Sequence, residues 1–141
     1  MKINRKGYEL IKKFEGCKLE AYKCYAGRLT IGYGHTKNVS EGDRITHQEA
    51  MILLSQDIEE FENSVDSLVA VPLTENMFSA LVSFAFNLGI NALKGSTLLA
   101  KVNNKDYGNA ANEFPKWIHV NKQPLLGLLK RRIAERKLFL E

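Results

Sequence analysis

A carboxyl and a hydroxyl near the start of this sequence have the types and surroundings for acid-assisted bond cleavage. Glu15 ends a run, residues 4–15, in which Leu10, Ile11 and Phe14 share one helical face, and Gly16 is placed as the stop. A carboxyl at a helix C-terminus faces the negative end of the macrodipole, which favours the protonated form a general acid must keep until it donates. Thr30 sits in RLTIGYGH, on the strand face opposite Leu29 and Ile31 and beside Gly32, so its hydroxyl is expected to point into open space and hold a water. Gly32 and Gly34 would let another chain pass close to the backbone. Each residue alone also has a plainer reading: an acid after a helix is commonly just solvated, and a strand threonine commonly serves β propensity.

The elements that must position these groups are legible from periodicity and punctuation. KLEAYKCYAGRLTIGYGHT reads as a small antiparallel hairpin turning at Ala-Gly, with Leu29, Ile31 and Tyr33 alternating with Thr30, Gly32 and Gly34. T-H-Q-E from Thr46 is a capping box, and Ala50, Leu53, Leu54, Ile58, Phe61, Val65 and Leu68 then recur at helical spacing until Pro72. Thr74 can cap a second helix whose Phe78, Leu81, Val82, Phe84, Ala85, Phe86 and Leu88 leave little polar face, so it is expected to be central and buried, closing at Gly89. Shorter helices are expected from Ser96 to about Val102, from Asp106 to about Trp117, and from Pro124 or Leu125 onward. The sum is a single α+β domain over residues 1–141. A hairpin lobe (about 1–45) is joined by a long helix (about 46–69) to a helical lobe (about 72–141), with a cleft between the lobes where a polymer would lie.

Composition narrows the partners. With 45% hydrophobic and 26% charged residues, the 141-residue chain can bury a core, and no apolar run is long enough to span a membrane or resembles a signal peptide. The two cysteines, Cys17 and Cys24, are too few for a disulfide framework, and no Cys-x-x-Cys or His-Glu-x-x-His spacing offers a metal site. Residues 1–37 carry nine Lys/Arg against three acids, residues 38–113 four against eleven, and residues 114–141 seven against two. Two basic ends packed together could attract an acidic polymer such as a bacterial wall; the plainer reading is solvated helix faces with no partner. A nucleic-acid binder using residues 130–137 would explain neither the acidic middle nor the glycine-rich hairpin.

Several motifs occur together and in order: E-G-x-x-L-x-A-Y from Glu15 to Tyr22, G-x-x-T-I-G-Y-G-H-T from Gly27 to Thr36, A-L-V-S-F-A-F-N-L-G from Ala80 to Gly89, S-T-L-L from Ser96 to Leu99, F-P-K-W from Phe114 to Trp117, and G-L-L-K-R-R-I-A-E-R from Gly127 to Arg136. On these, the sequence resembles the phage-type lysozymes, the endolysins of glycoside hydrolase family 24, over nearly its whole length. The resemblance implies a lysozyme-like fold and hydrolysis of the β-1,4 bond between N-acetylmuramic acid and N-acetylglucosamine in peptidoglycan, with no metal or organic cofactor. The family's catalytic Glu and Thr map onto Glu15 and Thr30, while its Asp falls on Cys24. Thr36, Phe86 and Ser96 match positions that line the saccharide cleft, although Phe86 could equally be a core aromatic and Ser96 a helix cap. Arg131 and Arg132 resemble a basic pair that reaches back to the catalytic lobe, where one of them could pair with Glu15, orienting it while lowering its pKa against the dipole effect above; alternatively they lie on an exposed face making i,i+4 pairs.

The resemblance thus implies a Glu-Cys-Thr site in which Cys24 is base or nucleophile. An unperturbed thiol, with a pKa near 8.5, is only about 3% thiolate at pH 7, so activity is expected to rise with pH toward the thiol pKa until Glu15 loses its proton. Two alternatives to a working Cys24 stand: a weakened or inactive lysozyme-fold module that binds peptidoglycan, and a Cys17–Cys24 disulfide that silences the enzyme when oxidised. For Cys17 itself the plainer reading is a small apolar residue packed under the hairpin. His35 is expected to be a structural partner to an acid. The further expectations are a monomer with no nucleic-acid partner and no stable insertion into a membrane. It would be held in the host bacterial cytoplasm until a holin-type membrane protein lets it reach the periplasmic peptidoglycan.

Overall fold

The computed structural model describes residues 1–24, 26–119 and 125–141. Helix α1 (Arg5–Glu15) starts at Asn4, whose side chain accepts from the Gly7 N–H, and stops at Gly16 in the left-handed region. Strands β1 (Lys18–Lys23) and β2 (Leu29–Gly32) pair antiparallel, with Tyr22 opposite Thr30 and Lys23 opposite Leu29. A third extended stretch backs the hairpin, because Ala21 N–H donates to Asp43 O and Ile45 N–H to Leu19 O. The chain then enters α2 (His47–Leu68), where Thr46 and Glu49 form both halves of the expected capping box.

Helix α3 (Glu75–Leu88) begins at Thr74, ends at Gly89 and is the buried centre of the molecule; its Phe78, Leu81 and Phe84 are inaccessible. Around it lie α4 (Ile90–Lys94), α5 (Thr97–Asn103), α6 (Tyr107–Ala111) and α7 (Leu125–Leu140). The single helix expected from Asp106 to Trp117 is instead α6 followed by a short 3₁₀ turn over Phe114–Lys116. Pro115 explains the break, since it has no N–H to donate to the carbonyl of Ala111, four residues back, and its ring crowds that carbonyl. Pro124, offered as one start for the last helix, lies outside the described residues.

Although α1 precedes the hairpin in the chain, it packs on α3 and α7. The approach to α3 depends on Gly7, where an added Cβ would fall 2.7 Å from the Ser79 Cβ. The two basic ends of the sequence therefore meet, and Lys6 pairs with Glu141 at 3.0 Å. This packing carries the C-terminal end of α1 to the foot of α7.

Candidate active site

Glu15 ends α1 and is largely buried. Its Oε2 accepts from Arg131 Nη1 at 2.6 Å, a pair joining residues 116 apart in sequence. Its Oε1 lies against the backbone of Gly34, where an added Cβ would fall 2.7 Å away. Gly34 also has φ +77°, so both conformation and space demand glycine there. The expectation that Gly34 clears a path for another chain is thus corrected: what it admits is the carboxylate of Glu15. Gly32 is buried and faces Ile45 and Ala50.

Arg131 is itself held from three sides. Its Nη2 donates to Ser83 O at 3.2 Å and its Nε to Glu135 Oε2 at 3.3 Å, while Ser83 Oγ donates to that same carboxylate oxygen at 2.6 Å. Arg132 Nη2 reaches Asn87 Oδ1 at 2.7 Å, and its guanidinium covers the Phe84 ring at 5.2 Å. Arg132 Nε lies 2.8 Å from Glu135 Oε1, an ion pair whose N–H is not aimed at the oxygen. Burial presses the Arg132 guanidinium below its ordinary pKa, against the pull of the Glu135 charge. The two arginines and Glu135 form a buried network rather than an exposed helix face.

The thiol of Cys24 sits where β1 enters the turn, with Cys24 N–H donating to Arg28 O at 3.0 Å and Cys24 O accepting from Gly27 N–H at 2.8 Å. Partial burial pushes the thiol pKa up, but backbone N–H groups of Ala26 and Arg28, the Thr30 hydroxyl and the Cys24 N–H together bring it below the ordinary thiol value. No cation contributes; the stabilisation is by hydrogen bonds. Thr30 is 3% exposed, so its hydroxyl does not point into open space as expected. It donates to Arg28 O at 2.9 Å and is also within reach of the Cys24 sulfur. One hydroxyl proton serves two acceptors, and it can turn to the sulfur when the thiol ionises.

The strand between the cysteines decides their relation. Cys17 and Cys24 flank the six residues of β1, which at ~3.3 Å per residue holds them roughly 20 Å apart. A disulfide needs Cα atoms within about 7 Å, so both thiols are free in this conformation and a bridge would require β1 to unwind. Cys17 is half-buried beside the Tyr33 ring, whose hydroxyl lies 3.1 Å from His47 Nε2.

The remaining expected residues fall in varied places. Thr36 is half-buried just past the tight turn closed by Ile31 and His35. Phe86 is half-buried against Phe61, with ring centroids 5.3 Å apart. Ser96 is buried as the cap of α5: its hydroxyl accepts from Leu99 N–H at 3.0 Å and donates to Leu93 O at 2.7 Å, and so is already committed. His35 pairs with Asp57 at 2.7 Å through Nδ1, while its Nε2 meets Lys37 O. Ser83 is the member of the network behind Glu15 that sequence reasoning missed. The available signal was a serine repeated at Ser79 and Ser83 on the face of a helix that is otherwise apolar. Among the described residues no group of three or more His, Cys, Asp and Glu side chains is placed to hold a metal ion.

A helical body carrying a small hairpin, with an acid at the end of its first helix held by an arginine of the last, is the arrangement of a lysozyme-like glycoside hydrolase. Residues 12–135 match the phage lysozyme family, and the chain belongs to that family. It is 46% identical to the endolysin of Acyrthosiphon pisum secondary endosymbiont phage 1, over 99% of this chain and 98% of that protein. It is 41% identical to the endolysin of Salmonella phage P22, over 99% of both. The muramidase domain of SpmX from Asticaccaulis excentricus superposes with a TM-score of 0.91 at 44% identity, covering 99% of this chain and 98% of that one.

Proposed function

We propose that this enzyme cuts the β-1,4 bond between N-acetylmuramic acid and N-acetylglucosamine in peptidoglycan, with Glu15 as general acid and Cys24 as base or nucleophile. The observation that carries the reading is the contrast of the two groups: a carboxyl pinned between Arg131 and Gly34, and a thiol whose anion is favoured by hydrogen bonds. Glu15 gives its proton to the glycosidic oxygen as the bond to the anomeric carbon breaks. If Cys24 acts as base, its thiolate takes a proton from the water that attacks that carbon, and the anomeric configuration inverts. If it acts as nucleophile, sulfur bonds to the carbon first and water later displaces it, and the configuration is retained. Thr30 steadies the thiolate in either case. Thr36 and Phe86 retain exposed surface for sugar contact, whereas Ser96 would act by fixing the first turn of α5.

Peptidoglycan is then the partner and a bacterial wall the place of action. The enzyme works as a monomer and reaches the wall from the host cytoplasm after a holin-type protein opens the inner membrane; no helix among the described residues is long and apolar enough to cross a membrane. Lysis of outer-membrane-stripped Gram-negative cells, followed by release of reducing ends, tests the chemistry. Glu15→Gln and Cys24→Ser are each expected to lower the rate by roughly a hundredfold or more while leaving the fold intact. A parent protein that binds the wall but releases no reducing ends, with or without a thiol reductant, replaces this reading with a binding module.

A further inference from the structure

Helix α7 is turned inside out in its polarity. Its buried side carries Arg131, Arg132 and Glu135 beside Leu128, Leu138 and Phe139. Its outer side presents Leu126, Ile133 and Leu140, at 62%, 52% and 52% exposure, interleaved with the exposed Lys130 and Lys137. Positions 126, 130, 133, 137 and 140 advance by alternating steps of four and three, which places all five on one stripe. Neither lysine makes an ion pair with a described residue, and the nearby carboxylate of Glu141 is taken by Lys6.

We propose that this stripe is a docking surface for the headgroup layer of an anionic bilayer. Aliphatic side chains between lysines suit that interface, where the apolar groups enter the acyl boundary and the ammonium groups stay among the phosphates. At about 24 Å, a sixteen-residue helix can lie in the plane of a membrane without crossing it. A polyanionic glycan would use the lysines and gain nothing from three exposed aliphatic residues. A symmetric contact between two copies would set lysine stripes against each other. The surface is independent of which bond the enzyme cuts.

The test is co-sedimentation of the full chain with vesicles of phosphatidylcholine alone and with phosphatidylcholine mixed equally with phosphatidylglycerol. Binding to the anionic vesicles is expected to be roughly thirtyfold stronger, the effect of two lysines at an anionic surface, and to weaken with added salt. The double variant L126S/I133S should bind about tenfold less while keeping its lytic rate, and K130Q/K137Q should lose the preference for anionic lipid. The proposal is overturned if neither vesicle is bound, or if L126S/I133S binds as well as the parent. Self-association that L126S/I133S abolishes, with no vesicle binding, would assign the stripe to a second copy instead.

Discussion

Glu15 and Cys24 are held by opposite means. The carboxyl is fixed by a guanidinium 116 residues away, itself set by Glu135 and Ser83 deep in the helical body. The thiol is conditioned within a seven-residue stretch, by backbone groups of its own turn and the Thr30 hydroxyl. The acid therefore depends on the assembled tertiary structure, whereas the thiol needs little more than a correctly closed hairpin. Damage to the network under α7 should reach Glu15 and spare Cys24, and damage to the turn should do the reverse.

Replacing Arg131 with Gln breaks that comparison most severely. It leaves Glu15 without its cation and the fully buried Glu135 with Arg132 alone, and a loss of about 3 kcal/mol in urea unfolding is expected. Activity should fall with no change in the ionisation of Cys24, followed by thiolate absorbance; a displaced thiol titration would show that the two halves are coupled. Cys24→Asp comes next. Because the parent thiol ionises below the ordinary thiol value, parent activity should rise with pH through that range. In the Asp variant the base is already ionised, so the rising limb should move several units toward acid, and a profile that stays put would remove Cys24 from the base role.

Thr30→Val sharpens the contrast on the hairpin side. Losing a hydroxyl that favours the thiolate should move the rising limb to higher pH and lower the rate at neutral pH by about fivefold, while urea stability changes little more than ~1 kcal/mol. The smallest effect serves as a control away from both groups. Glu113 is buried between Lys116 and Lys101, at 2.7 and 2.9 Å, and their hydrogen bonds hold its carboxyl below the usual range. It contributes stability above an unfolded-state pKa of about 4.3 and loses it as pH falls through the lower folded value. Glu113→Gln should flatten the acid side of the stability curve by roughly 1 kcal/mol and leave the pH profile of activity unmoved.

What could be read from sequence was mostly short-range. The stop at Gly16, the Thr46 and Glu49 box, the cap at Thr74 and the stop at Gly89 are decided by neighbouring residues, and each is found where expected. The one-turn helix α4 went unread, because five residues hold helical shape only through packing. Thr30 was misdirected because period-two alternation assumes a strand that continues, whereas β2 stops at Gly32 and the chain doubles back from Ile31 to His35. The depressed thiol was likewise illegible, since the backbone N–H groups that favour its anion leave no mark in composition. The match between Glu15 and Arg131 was visible only by resemblance; no local pattern links the two.

The placement of α1 against α3 and α7 also sets a timetable. Ribosomes add roughly 5–20 residues per second, so Glu15 exists for on the order of ten seconds before Arg131 is even synthesised. Until then α1 has α3 but not α7 to pack against, and the carboxyl has no guanidinium to hold it. With Glu15 in its proposed role as general acid, wall-cutting power is withheld from every nascent chain and appears only when α7 has emerged and docked. A message broken before α7 would yield the acid and the thiol but no working enzyme.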